Sequence, residues 1–193
     1  MSASDSKRAA VLQEHLDEIA QELRKGYATM LMAELGLREM GKTVDSAPTN
    51  SVTNDTVIYI SNRKPSEDSD ARQVQLTVGD LRAAARTDSE ALRRLQQQWI
   101  VTTFHLWEDV WRSRVSADLE VPVEKVFSPT MGDLRNFRND ILKHRGIATE
   151  RNTGRNQVLR WAQPGAPITC TGKEFIQLMN SLGIGVRGES PGT

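Results

Sequence analysis

From Leu92 to Trp111 the apolar residues Leu92, Leu95, Trp99, Ile100, Phe104, Trp107, Val110 and Trp111 return every three or four positions. That is the period of one face of an α-helix; a strand, whose side chains alternate, cannot gather such a set on one side. Three of the chain's four tryptophans lie on this stripe, and each removes roughly 150–250 Å² from water when buried. Such a face belongs at the centre of a fold. Thr87-Asp88-Ser89-Glu90 fits a capping box, so the spacing predicts a core helix from there to about Leu119. A chain organised around it is expected to be mainly α.

Other segments fit that class. Val11, Leu12, His15, Ile19, Leu23, Tyr27, Met30 and Leu31 predict a first helix over 5–36, with Gly36 as its stop. Gly41 to Thr56 is rich in Ser, Thr, Asn, Asp and Pro and reads as a loop. Val57–Ile60 and Val74–Val78, joined by the charged stretch Asn62–Arg72, predict a hairpin, and Asp80–Arg86 a short helix. Thr130 with Asp133 offers a cap for a helix from Met131 to about Arg145, stopped by Gly146. Val158–Trp161 and Pro167–Cys170 flank Gln163-Pro164-Gly165 as strand, turn and strand, and Thr171–Glu174 caps a last helix to Gly183. The tail from Gly185 to Thr193 is expected to fray.

Charge and cysteine content narrow the function classes. The chain has 25 basic and 25 acidic residues, so it lacks the global basic field of many nucleic-acid binders. The distribution is uneven, however. Between Arg135 and Arg160, Arg135, Arg138, Lys143, Arg145, Arg151, Arg155 and Arg160 face only Asp140 and Glu150. A local anionic partner and a plain solvated basic face both fit that excess. One cysteine, Cys170, excludes an intramolecular disulfide and a cysteine-rich zinc site. No apolar run approaches the roughly 18 residues of a membrane span. With no secretory pattern at the start, the expected location is cytoplasmic, without a membrane partner.

The helix over Met131–Arg145 carries the chemistry. At 100° per residue, Met131, Leu134, Phe137, Ile141 and Leu142 define its buried face. Arg138 and Arg145 fall inside that arc, an expensive place for an unpaired guanidinium. Either a carboxylate such as Glu108 meets Arg138, or the side chain emerges into a cleft or an interface between copies. Asp140 and His144 are i, i+4 neighbours with the spacing for a hydrogen bond. Arg138 and His144 lie about 9 Å apart along the axis and on different faces. They act on one phosphate through long side chains or together with a second copy of the helix, and this favours a dimer.

The segment Leu134–Gly146, with Arg138, Asn139 and His144 separated as Arg-Asn-x(4)-His, resembles the signature of HEPN domains. Leu106–Arg112, which contains Trp107, Glu108 and Arg112, is similar to the helix that packs beside the motif in some family members. The resemblance implies an antiparallel helical bundle, here a single domain. Its core would be about 5–36 and 80–150, with a polar loop and hairpin insertion over 41–78 and a C-terminal hairpin-helix extension over 156–185. It also implies metal-independent RNA cleavage without a cofactor, leaving 2′,3′-cyclic phosphates. His144 would be the acid/base, Arg138 the phosphate stabiliser and Asn139 its polar neighbour. Asp140 and Glu108 would support them, and Arg135, Lys143 and Arg145 would hold RNA. A homodimer through this helix and an antitoxin or defence-system partner follow from the same resemblance. So does the alternative of a non-catalytic module that binds RNA, nucleotide or protein.

The remaining candidates read more plainly. Trp99, Trp107 and Trp111 are core residues, whereas Trp161, near Arg155 and Arg160, is the one placed to stack on a base. Glu108 and Arg112, at i, i+4, form a surface pair. His15 and His105 carry no metal-ligand pattern.

Overall fold

The computed structural model describes residues 3–46, 52–61 and 73–187. Among them the chain is mainly helical, with two short antiparallel strand pairs. It divides into two compact units, Met1–Met30 with Gln96–Thr193, and Leu31–Leu95. Helices α1 (Ala3–Asp45) and α3 (Glu90–Leu106) each contribute residues to both. No helix among the described residues is long and apolar enough to cross a membrane.

In the first unit, the stripe read from sequence is buried as expected. Ile100, Phe104, Trp107, Trp111 and Val115 join Ile19 and Leu23 of α1 in the core. The helix does not stay α-helical, however. It widens into a π turn at Trp107–Trp111 and resumes as α4 (Arg112–Asp118). The wider turn is a local departure from the 3.6 period, and single π turns recur at functional sites. An aromatic trio closes one side: Tyr27 stacks on Phe175 at 4.0 Å, and Trp99 meets both edge-on.

The first helix passes its expected stop. Gly36 is solvent-exposed, and a Cβ there would meet nothing within 4 Å. One interior glycine costs about 1 kcal/mol, too little to end a helix whose next turns still pack. The glycine with a packing reason is Gly41, where an added Cβ would lie 2.4 Å from Ala85 Cβ. Gly41 lets α2 (Val78–Ala85) lie directly on α1 inside the second unit. The loop expected over Gly41–Thr56 therefore begins only after Asp45, and 47–51 lie outside the described residues.

The second unit carries the predicted hairpin, β1 (Val57–Ser61) paired with β2 (Gln73–Thr77) from Val57↔Thr77 to Ser61↔Gln73. Its connection over 62–72 lies outside the described residues. Two caps differ from the reading. A capping box forms at Thr77, where the Asp80 N–H donates to Thr77 Oγ1 and the Thr77 N–H to Asp80 Oδ2, both 3.0 Å. These bonds, led by the Thr77 backbone donor, hold the Asp80 carboxyl below its ordinary value of 3.8. At α3 the cap is Ser89, whose Oγ accepts from the Leu92 N–H at 3.1 Å. Glu90, expected to close a box with Thr87, bonds Arg94 instead.

After α4, a 3₁₀ turn (Val123–Lys125) leads to β3 (Val126–Phe127) and α5 (Pro129–Lys143). Then come α6 (Glu150–Thr153), α7 (Gly172–Ser181) and β4 (Gly185–Val186), which pairs with β3. The start of the expected frayed tail is thus held in a strand, and 188–193 lie outside the described residues. The capping box at Thr171 forms, with its backbone N–H donating to Glu174 at 3.0 Å.

The hairpin expected between Val158–Trp161 and Pro167–Cys170 does not form. Pro167 bridges Ile147, the Ala148 N–H donates to Ala166 O (2.9 Å), and the Ile168 N–H to Gly146 O (2.8 Å). The N–H groups of Val158 and Leu159 go to a carboxylate on α5. A buried ionised acceptor makes bonds about twice as strong as a neutral carbonyl, and it outcompetes the strand partner the apolar pattern suggested.

Candidate functional site

Helix α5 starts on Ser128, whose Oγ accepts from the Met131 N–H at 3.4 Å, with Pro129 in the first helical position. Thr130 and Asp133, the expected cap pair, are used elsewhere. The buried Thr130 hydroxyl donates to Ser181 O, and buried Asp133 faces the segment that follows α6. Asp133 Oδ2 accepts from the N–H groups of Val158 and Leu159 (2.7 Å each), and Oδ1 from Gln157 (2.9 Å).

Asp140, two turns on, works the same way. It is fully buried and accepts from the Thr149 N–H and hydroxyl at 2.9 Å each and from Asn152 Nδ2 at 2.5 Å. The expected side-chain bond from Asp140 to His144 is absent. Asp140 points at the loop before α6, and His144 meets it only through backbone, its N–H donating to Asp140 O (2.8 Å).

These two carboxylates rotate the helix. On the wheel, Asp133 and Asp140 fall near −100° and −120° from Leu134, so the buried arc is centred on the Phe137 side. Leu142, expected inside, is 58% exposed, and Ile141 is half-buried. Arg145, also expected inside, is exposed and has left the helix: its φ is 54°, followed by Gly146 at 75°. Gly146 is required twice over, because a Cβ there would also come within 2.1 Å of buried Gln97 Nε2. Gln97 fixes this turn by donating to Ile168 O at 3.1 Å.

Arg138 ends half-buried at the margin of that arc. Its guanidinium lies 5.8 Å over the Phe104 ring and donates to Asn139 Oδ1 at 3.2 Å. The pair with Glu108 does not form, since Glu108 bonds Arg112 at 2.8 Å, the i, i+4 surface pair read from sequence. No carboxylate pairs with Arg138 among the described residues. His144 is the C-cap of α5 and exposed, and Arg135 and Lys143 are exposed on the same helix. Trp161 is not a platform for a base: it stacks on Phe137, centroids 5.2 Å apart and planes 8° from parallel.

The other histidines have partners the sequence reading passed over. His15 Nε2 lies 2.9 Å from Asp118 Oδ2, and His105 Nε2 lies 3.0 Å from Asp109 Oδ2 at i, i+4. Among the described residues no three His, Cys, Asp or Glu side chains gather as a metal site. Phe104, Thr149 and Asn152 were missed. The last two carried a usable signal, because Thr149 and Asn152 cap the short α6, and a cap side chain facing an acidic helix position is a ready hydrogen-bond partner. Compared with family models, with curated proteins and with solved structures, the chain matches none.

Proposed function

We propose that the chain is a metal-independent endoribonuclease of HEPN type that acts as a homodimer. The observation that carries the reading is that Arg138 and His144, on one helix, are both left without a carboxylate partner among the described residues. Asp140 is consumed by Thr149 and Asn152, and Glu108 by Arg112. A guanidinium seated on an aromatic ring and an exposed imidazole remain for a phosphodiester. In the step proposed, the ribose 2′-oxygen attacks phosphorus and the bond to the 5′-oxygen breaks. His144 takes or returns the proton, and Arg138, braced by Asn139, stabilises the charge on the phosphoryl oxygens. Exposed Leu142 and Ile147, either side of His144, supply apolar surface for a second copy.

The test is cleavage of a mixed RNA pool in excess EDTA by wild type and His144→Ala. Cleavage by wild type alone, leaving cyclic-phosphate ends, supports the reading. A well-folded dimer that cuts nothing supports a second reading, a non-catalytic RNA-binding module. One observation favours that reading: the His144 imidazole has no side-chain hydrogen bond to orient it among the described residues.

A further inference from the structure

The opposite end of α5 holds a cleft of about 200 Å³ whose walls include Gly132, Asn136, Arg155 and Arg187. Asp133 also lines it, but its oxygens already accept three backbone N–H groups from Gln157, Val158 and Leu159. Neither arginine pairs with it or with another carboxylate among the described residues. Arg187 lies 5.5 Å over Phe127, which holds its guanidinium at the rim, and the Asn136 amide is fixed by donating to Asn156 at 2.9 Å. The start of the helix supplies little by itself, because Ser128 takes the N–H groups of Met131 and Gly132.

Gly132 is the second observation. It sits inside α5, where glycine is unfavourable relative to alanine. A Cβ at Gly132 would meet nothing within 4 Å. Protein packing therefore gives no reason for glycine there. A ligand that approaches the helix backbone closely does give one.

We infer that this cleft binds a phosphate group, with Arg155 and Arg187 as its donors and Gly132 keeping the approach open. Resting on the ribonuclease reading, it assigns that phosphate to the backbone of the RNA strand, at a subsite away from Arg138 and His144. Two guanidinium groups offer planar, charge-assisted forks to phosphoryl oxygens.

The probe is a fluorescent 2′-O-methyl single strand, which cannot be cleaved through the 2′-oxygen, with inorganic pyrophosphate as a second arm. Binding is followed by anisotropy with the full chain. The Arg155→Ala/Arg187→Ala protein is expected to bind the strand about tenfold more weakly. Its salt slope should be shallower by about 0.7, as for one single-strand phosphate contact. Gly132→Gln keeps the charge and supplies a helix former. It is expected to melt no lower than wild type and still to bind the strand more weakly.

Wild-type affinity in both variants, or no strand binding by wild type, overturns the inference. Variant-sensitive binding of pyrophosphate without strand binding overturns the assignment to RNA and leaves a site for small phosphates. The EDTA cleavage assay reads the parent proposal separately: cleft variants that lose the strand in a protein that never cuts would uphold the cleft and remove the nuclease.

Discussion

Asp133→Ala should be among the most destabilising single changes on α5, although the residue stands outside the proposed chemistry. Its carboxylate is buried and receives three backbone N–H groups. The Leu159 N–H is itself buried, and losing its partner costs roughly 1–3 kcal/mol. Those of Gln157 and Val158 are part-buried and regain water in part, at about 0.5–1.5 kcal/mol each. Removing the charge also returns its desolvation cost, which offsets some of this loss. The net expectation is about 2–4 kcal/mol, out of the roughly 5–15 typical of a folded domain. Urea unfolding followed by tryptophan fluorescence, with an unchanged m-value, measures it. Amide exchange at Val158 and Leu159 should accelerate in the variant before global unfolding. Asp133→Asn should fare little better, because its amide nitrogen would turn a donor toward donors. A loss below about 1 kcal/mol would refute the argument that this carboxylate anchors the segment in place of a strand partner.

Other expectations follow from the same contacts. Gly146→Ala adds a left-handed alanine and an overlap with Gln97, costing about 2–4 kcal/mol. Gly165→Ala, at φ 82° with open space around it, should cost only the backbone strain of about 1 kcal/mol, and equal losses in the two would exclude the Gln97 contact as a cause. Arg138→Ala should lower stability by less than about 1.5 kcal/mol, since it gives up one ring contact and a bond to Asn139; unfolding of this variant would make Arg138 a scaffold residue. The Asp80 side chain, with its carboxyl held below 3.8 by Thr77, should titrate in NMR with a midpoint below that value. Its cap therefore adds stability above the ordinary pKa, which is lost as pH falls through the lowered one; a midpoint at or above 3.8 would contradict the capping box.

What the sequence made legible was periodicity. The tryptophan stripe, the hairpin register around Val57–Ile60 and Val74–Thr77, and the last capping box at Thr171 all depend on local spacing, and the structure contains each of them. What escaped was side-chain chemistry acting at a distance. Asp133 and Asp140 look like solvent-facing helix residues because apolar patterning gives acids no inward weight. Their partners lie 9 to 26 positions away in the chain. That one omission accounts for several errors together: the rotated face of α5, exposed Leu142, the missing bond to His144, and the strand pairing that never forms at Val158.

The two acids also change how the motif helix is understood. A helix that presents Arg138 and His144 to a substrate needs something else to hold it in place, because residues fixed by core packing are not available to a ligand. Asp133 and Asp140, seven residues apart on one side of α5, do the holding by tying down the chain from Thr149 to Leu159. That leaves the other side of the helix with few obligations: Arg138 rests on Phe104 without a counter-ion among the described residues, and His144 caps the helix in solvent. Loss of function is therefore informative only when sorted by side. Changes at Asp133, Asp140 or Gly146 are expected to act through folding and to be rescued by lower temperature or osmolyte. Changes at Arg138 or His144 should leave the unfolding curve nearly in place, and any activity they remove belongs to the site itself.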